Sequence, residues 1–303
     1  MAASPQSKPP TPTLLIVDGH AYAYRAFFAI RSLSSPTGAP TNAIFGFIKA
    51  ITKLRAQVRP TYVAVVWDGG LSAERTELLP SYKAQRPPMP AGLESQLDQI
   101  VAWLRAMGIV SDFQEGVEAD DWIATLARAA SAAGACVLIA SSDKDFMQLV
   151  SPRVGLINPN DKAEKIWGPD EVRARTGVEP RQIVDWLSLV GDSVDNIPGV
   201  PGIGPKTAAA LLGQFESCDL LLQRLGEVDS ERLRTALEAA GETIQRNRQM
   251  IRLKDDLPGD ASLARLAPQA PDIARLRELY SQWGFRSLLK DLPVEAPAQR
   301  ELF

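Results

Sequence analysis

An α/β fold, with a central mostly parallel sheet flanked by helices on both faces and followed by a helical lobe, is what this sequence predicts. Three observations lead there. LLIV at 14–17, YVAVVW at 62–67 and VLIA at 137–140 are short continuous apolar runs, the pattern of strands buried on both faces. Segments with apolar residues at helical spacing lie between them. Beyond about residue 176 the pattern is helical throughout.

The first strand ends at Asp18-Gly19-His20, and an aromatic cluster with one cation follows: Tyr22, Tyr24, Arg25, Phe27 and Phe28. Residues 41–58 place Ile44, Phe45, Phe47, Ile48, Ile51 and Leu54 on one helical face. The second strand stops at Asp68-Gly69. Residues 71–92 then exceed the roughly 2–6 residues of an ordinary strand-to-helix loop. They hold Arg75, Tyr82, Lys83, Arg86 and the prolines at 80, 87, 88 and 90, with a short helix expected near 73–79. The pattern leaves open a loose surface insertion or a basic clamp over a phosphate backbone. A helix over 93–107 follows, with Gly108 as its stop.

The stretch EADDWIATLARAASAAGACVLIASSDKD, residues 118–145, sets a helix and the third strand between two carboxylate clusters. Like charges this close raise one another's pKa values unless something positive sits among them. Taken alone, such acids also suit a helix N-terminus or a solvated turn. Three strands that each deliver an aspartate at the carboxyl end (Asp18, Asp68, Asp143) change the balance, because open α/β sheets build their sites there. Residues 154–167 predict one or two short strands around an Asn-Pro-Asn-Asp turn.

In the helical lobe, an amphipathic helix over 181–190 runs into GDSVDN, where Asp192 and Asp195 neighbour each other if the turn is helical. Gly199, Gly202 and Gly204 follow, with Pro205 opening a helix that carries Lys206 and Thr207. A glycine-rich loop feeding a helix N-terminus is a ready anion site. It lacks the Gly-Lys-Ser/Thr ending of a nucleotide P-loop. A helix–hairpin–helix turn gripping one DNA strand by its phosphates fits instead. Residues 216–253 predict charged helices with a core stripe of Leu220, Leu221, Leu225, Leu233, Leu237 and Ile244. A polar connection at 255–272 and a last helical pair at 276–292 complete the lobe.

The candidate ligands are therefore Asp18, Asp68, Glu118, Asp120, Asp121, Asp143, Asp145, Asp192 and Asp195. An all-oxygen set in a chain with a single histidine argues against zinc and for hard cations, Mg²⁺ or Mn²⁺. So many carboxylates suggest two ions about 3.5–4 Å apart clamping an in-line phosphoryl displacement. An anionic substrate also needs cations, for which Lys83 and Arg86 are the candidates, with Arg25 behind them. His20 beside Asp18 is a candidate general base or, more simply, a backbone-satisfying group.

Composition sets outer limits. The 303 residues carry 33 basic and 36 acidic side chains for a net charge of −3. Setting nine acids aside in a metal pocket leaves 33 basic against 27 acidic residues, so the surface can still be basic locally. Two cysteines exclude a disulfide framework or thiolate metal site and point to a reducing cytoplasm. No apolar run reaches the roughly 18 residues of a membrane span, and residues 1–13 lack the apolar core of a signal peptide.

IVDGHAYAYRAFFA, VVWD, SYKAQRPPMP, EGVEADDWIATLA, ASSDKDFMQLV and GDSVDNIPGVPGIGPKTAAALL together resemble the 5′-nuclease family, in family order and over about residues 13–292. That family includes the 5′→3′ exonuclease domain of bacterial DNA polymerase I, free-standing bacterial and phage relatives, and the flap endonucleases. The resemblance implies a PIN-like core at 14–175 with a helical arch at about 71–92, a helical DNA-binding lobe at 176–292, and tails at 1–13 and 293–303. It implies one metal held by Asp18, Asp68, Glu118 and Asp120 and a second by Asp143, Asp145 and Asp192. Asp121 and Asp195 take outer positions acting partly through water. Lys83 and Arg86 match arch residues at the scissile phosphate, and Tyr22 or Tyr24 would stack on a flipped terminal base, with Tyr82 a further DNA contact. GVPGIGPKT resembles a helix–three-turn–helix element binding K⁺ and duplex phosphates.

The function so implied is a two-metal, structure-specific 5′ nuclease acting on flapped or nicked DNA and RNA primers in replication and repair. The expected protein is a monomer in the bacterial cytoplasm, associated with the nucleoid. Its QRELF end (Gln299–Phe303) resembles a sliding-clamp peptide. The alternatives are a catalytically weak branched-DNA-binding module and the nuclease fragment of a longer DNA polymerase I. A Toprim or phosphatase-like enzyme would need an Asp-x-Asp nucleophile that Asp18-Gly19-His20 does not supply.

Overall fold

The structure, a computed structural model, describes residues 11–161, 163 and 165–293. The proposed clamp peptide, Gln299–Phe303, lies outside the described residues.

In chain order, β1 (Thr13–Asp18) leads directly into α1 (Gly19–Ala29), and α2 (Asn42–Val58) and β2 (Tyr62–Val66) follow. Next come α3 (Ala73–Leu78), α4 (Ala91–Ala106), β3 (Val110–Asp112), α5 (Ala119–Ala132) and β4 (Cys136–Ala140). A 3₁₀ turn (Asp145–Leu149) precedes β5 (Val154–Ile157), β6 (Ile166–Trp167), α6 (Pro169–Thr176) and α7 (Ile183–Val190). A two-residue hairpin pair, β7 (Gly191–Asp192) and β8 (Ile197–Pro198), precedes α8 (Pro205–Phe215), α9 (Cys218–Gln223), α10 (Glu231–Ala239) and α11 (Gly241–Ile251). The described chain ends through α12 (Ile273–Trp283) and α13 (Arg286–Lys290).

The sheet order is β3-β2-β1-β4-β5-β6. The β1 strand pairs in parallel with β2 and with β4, in a register that sets Asp18 opposite Val66 and Val17 opposite Ala140. The carboxyl ends of these three strands are therefore level, and each chain continues into an aspartate. Central position explains the unbroken apolar run: Leu14, Leu15, Ile16 and Val17 are fully buried, each contributing about 1.5–3 kcal/mol by leaving water.

By packing, the described residues form two compact units. The first holds those up to Ala21, Pro60–Pro88 and Asp112–Ala267; the second holds Tyr22–Arg59, Met89–Ser111 and those from Pro268 onward. Inside the first unit α5 covers β1 and β4, while α7 packs between α11 and α8. Ile123, Leu126, Leu187, Leu189 and Ile244 are buried there. The second unit is built around α2 and α4. Gln96 of α4 accepts from the Ala43 and Ile44 amides at 2.8 and 3.2 Å, filling donors that the start of α2 leaves without partners. Trp103 donates to the Tyr280 hydroxyl at 2.9 Å.

Four local features differ from the sequence expectation. Tyr22–Phe28 has no clear apolar period yet lies in α1. Gly19 permits the abrupt strand-to-helix start, because a Cβ there would meet the Trp67 ring at 2.6 Å. The strand β3 is three residues with a polar centre, too short to carry a pattern. Leu220 is 37% exposed and not part of the core, since α9 is a separate short helix presenting that face outward. Asp192 and Asp195 sit on a β7–β8 hairpin rather than a helical turn. No helix among the described residues is long and apolar enough to cross a membrane.

Candidate metal centre

All nine candidate acids, with Lys83 and Arg86, belong to the first unit. Asp18, at the end of β1, accepts from the Ser141 hydroxyl at 2.8 Å and the Ala21 amide at 3.0 Å. Burial pushes its carboxyl up to about 6; these hydrogen bonds offset that only in part, and the charges of Asp143 and Asp68 add to it. Ser141 also accepts from the Asp143 amide at 3.1 Å, so one hydroxyl ties the ends of β1 and β4 together. Asp68 follows β2 and is exposed.

Asp143 accepts from the Asp145 amide at 2.9 Å. Asp145 is buried, and its Oδ1 has no hydrogen-bond partner. Burial, then Asp143 and Asp192, drive the Asp145 carboxyl well above its ordinary range. Burial and then Asp143 do the same to Asp120. Asp143 is raised by burial and by Asp195 and Asp192, against the lowering hydrogen bond from Asp145.

One carboxylate oxygen from each of Asp145, Asp192 and Asp195 lies within 4.8 Å of the others, and all three residues are buried. The hairpin brings the last two there: the Val194 amide donates to Asp192 Oδ1 at 2.9 Å, forming the turn. An orphaned buried carboxylate oxygen beside two more acids is what a hard cation would satisfy. The donor set fits Mg²⁺ or Mn²⁺ and offers nothing soft.

Cations of residues 71–92 fold back onto these acids. Lys83 Nζ is 2.6 Å from Glu118 Oε1, Arg86 Nη2 is 2.6 Å from Asp195 Oδ1, and Arg75 pairs with both Glu118 and Asp121. Burial raises Glu118, but Lys83 and Arg75 outweigh it and hold the carboxyl below its ordinary range. Burial likewise opposes the Lys83 charge, and Asp120 and Glu118 overcome it, keeping the ammonium charged far above its usual range. Lys83 adopts φ 53°, and its amide donates to the Asp195 carbonyl at 3.1 Å. Asn196, at φ 59°, donates its side chain to the Ser81 carbonyl at 2.8 Å. Two left-handed non-glycine residues thus join this segment to the hairpin, the kind of strain that clusters at functional sites.

Asp121 is not brought to the cluster. Neighbouring helix positions diverge by about 100°, so Asp121 turns away from Asp120 and accepts from Arg75 and from the Lys254 amide at 2.9 Å. Tyr82 is buried with its hydroxyl 3.2 Å from Glu118 Oε1, so its ring is closed to a base here. Tyr22 is buried, Tyr24 is half-buried and stacked on the exposed Phe28, and Arg25 is exposed on α1. His20 Nδ1 accepts from the Asp68 amide at 3.2 Å, which makes it a holder of the β2 end and removes that nitrogen as a base. Sequence reasoning missed two participants, Ser141 and Lys144, whose Nζ is 3.2 Å from Asp192 Oδ1, and placed Arg75 in the basic segment without its acidic partners. Ser141 and Lys144 sit inside a quoted motif, but only contact shows what each holds.

At the glycine loop, Gly202 and Gly204 are exposed, as is Lys206, and Thr207 is half-buried. Gly204 precedes α8 without a side-chain cap, leaving the first amides of α8 without intrahelical partners. Gly199 serves packing: a Cβ there would lie 2.2 Å from the Val190 carbonyl oxygen.

Two family models match the chain, the 5′-3′ exonuclease N-terminal resolvase-like domain over residues 13–177 and the 5′-3′ exonuclease C-terminal SAM fold over residues 178–274. A 5′-3′ exonuclease of Aquifex aeolicus is 38% identical over 293 residues, covering 96% of this chain and 99% of its own. DNA polymerase I of Pseudomonas aeruginosa is 40% identical over 93% of this chain, which spans 32% of that protein's length. Two solved structures share the fold. T5 5′-exonuclease bound to zinc has TM-score 0.67 at 21% identity, covering 92% of this chain and 97% of its own. The catalytic core of Rad2 in complex with DNA substrate has TM-score 0.64 at 16% identity, covering 93% and 92%. The chain belongs to the 5′-3′ exonuclease family.

Proposed function

We propose that this nuclease hydrolyses phosphodiesters at 5′ flaps, nicks and RNA primers of branched DNA, using two divalent ions, in replication and repair. The observation that carries this reading is the convergence of Asp145, Asp192 and Asp195, with the Asp145 Oδ1 buried and unpartnered. Asp18, Asp68, Glu118 and Asp120 are the holders of one Mg²⁺ or Mn²⁺. Asp143, Asp145 and Asp192 hold the other, with Asp195 beside them. Asp121 acts as the partner of Arg75.

Bound there, such ions supply an activated water and charge stabilisation for an in-line displacement. The chain's own residues do the rest. Ser141 and the Ala21 amide fix the orientation of Asp18, and His20 fixes the end of β2. Carboxylates alone repel a phosphodiester, and Lys83 and Arg86 bring compensating positive charge to the acids' edge, with Arg25 as a third candidate. The exposed Gly202, Gly204 and Lys206, with Thr207, would take duplex phosphates at the α8 N-terminus, with K⁺ at the loop. Tyr24 is better placed than Tyr22 to offer a ring to a base, being half-buried rather than buried. We place the protein in the bacterial cytoplasm, near the nucleoid, as a monomer that docks a sliding clamp through Gln299–Phe303.

A 5′-flap duplex assayed with and without Mg²⁺ tests the reading. Cleavage that requires Mg²⁺, alongside flap binding that does not, is the expected result. Binding without cleavage at any Mg²⁺ or Mn²⁺ concentration would leave a DNA-binding module instead.

A further inference from the structure

The hairpin that carries Asp192 and Asp195 is only two residue pairs long, Gly191 opposite Pro198 and Asp192 opposite Ile197. Such a short ladder does not hold its own geometry in water. Something outside it must fix where the two carboxylates stand.

Asn247, on α11, is fully buried. Its side-chain amide donates to the Ser188 carbonyl at 3.1 Å and to the Pro198 carbonyl at 2.7 Å. Ser188 lies in the last turn of α7, where carbonyls lack intrahelical partners, and Pro198 is the last residue of β8. Arg246 donates to Asn247 Oδ1 at 3.1 Å, so both ends of the amide are engaged and its orientation is set. One side chain therefore clasps the segment immediately before the hairpin to its final residue. Beside these two anchors the Val200 amide donates to the Leu189 carbonyl at 2.8 Å, and Gly191 and Gly199 approach too closely for any Cβ. The glycine loop begins at Gly199, directly beyond the second anchor.

We propose that Asn247 is a positioning residue for the Asp145–Asp192–Asp195 cation site, acting by pinning both ends of the hairpin to α11. It touches neither the carboxylates nor substrate. Removing its two donors frees the Ser188 and Pro198 carbonyls in a dry environment, where an unpaired group costs about 1–3 kcal/mol, and lets the hairpin open. This inference rests on the metal assignment proposed above, so the test separates the two.

Mn²⁺ binding to the DNA-free protein, followed by the electron paramagnetic resonance signal of the free ion, is measured for wild type, Asp192→Asn, Asn247→Ala and Asn247→Ser. Wild type binds and Asp192→Asn loses one site if the metal assignment holds. Outer-shell partners typically govern metal affinity by 10–100-fold, so Asn247→Ala is expected to weaken one of two sites by about tenfold or more. Asn247→Ser, which keeps one donor, falls between and serves where the alanine variant does not fold. The Mg²⁺ concentration for half-maximal cleavage rises in step, while the rate at saturating Mg²⁺ returns toward wild type. A lower melting temperature with unchanged Mn²⁺ affinity would overturn the proposal and leave Asn247 an ordinary core residue. Absence of Mn²⁺ binding by wild type would overturn the metal assignment, and the proposal with it.

Discussion

Lys83 Nζ stands 2.6 Å from Glu118 Oε1, with both side chains almost wholly withdrawn from solvent. Glu118 keeps Arg75 and the Tyr82 hydroxyl as further partners, so losing Lys83 does not strand its charge. Lys83→Ala is therefore expected to fold and to bind a 5′ flap with little change. Loss of one donor to a developing oxyanion costs about 10²–10³ in rate, and single-turnover cleavage should fall by about that much. An unchanged turnover would remove Lys83 from the mechanism.

Asp145→Asn should separate stability from function. It removes a buried carboxylate with an unpartnered oxygen and two acidic neighbours, a form that metal-free protein holds at a cost. The variant is expected to melt higher than wild type in chelator and to lose about 10³-fold or more in cleavage, roughly 4 kcal/mol of barrier. Paired melting and flap-cleavage measurements check this; a lower melting temperature would mean that Asp145 supports the fold.

The metal-free protein should be less stable at pH 7 than at pH 5. Burial raises Asp18 from 3.8 to about 6, and it also raises Asp120, Asp143 and Asp145. The folded state then binds more protons than the unfolded chain, so stability declines as pH climbs through the interval from 3.8 to about 6. For Asp18 the shift corresponds to about 3 kcal/mol. Two groups oppose this: Lys83 and Arg75 outweigh the burial of Glu118, and burial lowers His20, which favours the folded state as pH rises, but they stand against four raised carboxyls. Thermal melts in chelator at pH 5 and 7 give the sign, and Mg²⁺ should narrow the gap. Higher stability at pH 7 in chelator would contradict the crowding of these acids.

Arg75 uses its whole guanidinium. Nε donates to the Met250 carbonyl at 2.8 Å, Nη1 and Nη2 fork onto Asp121 at 2.9 and 2.8 Å, and Nη2 also reaches the Arg252 carbonyl at 3.2 Å. Breaking a buried pair from one side costs about 3–5 kcal/mol, the loss expected for Arg75→Ala in denaturant unfolding. Lysine cannot reproduce the fork, so Arg75→Lys should recover less than half. Full recovery would show that charge alone matters there.

Two glycines of one loop should behave differently. Gly199→Ala drives a Cβ to 2.2 Å from the Val190 carbonyl oxygen, whereas Gly204 has nothing within 4 Å. Overpacking costs about 1–3 kcal/mol, so Gly199→Ala should lower the melting temperature and Gly204→Ala should leave it nearly unchanged. A weaker duplex affinity in Gly204→Ala, read from salt-dependent binding, would place phosphates at that helix start. Equal melting losses in both would discount the close approach.

Much of this protein is written locally. The unbroken apolar runs specified parallel strands covered on both faces, and the aspartates that end them announced a site before any fold was known. Composition excluded thiolate and histidine metal chemistry, and the long basic loop after β2 was visible from its length alone. Other features depend on residues distant in sequence meeting in space. Asp120 and Asp121 are adjacent and chemically identical, yet helix geometry sends the second to Arg75 and Lys254. Lys83 and Arg86 read as phosphate-binding cations and Arg75 only as part of a basic segment, whereas the tertiary structure pairs each with an acid that would otherwise stand crowded by its own charge. Asn247 carries no motif at all. Its importance lies in two carbonyls, Ser188 and Pro198, that folding strands beside it. Periodicity and residue chemistry marked out most of the elements and the candidate donors. Burial and long-range hydrogen bonding decided which donor meets which partner, because those terms exist only once water has been excluded.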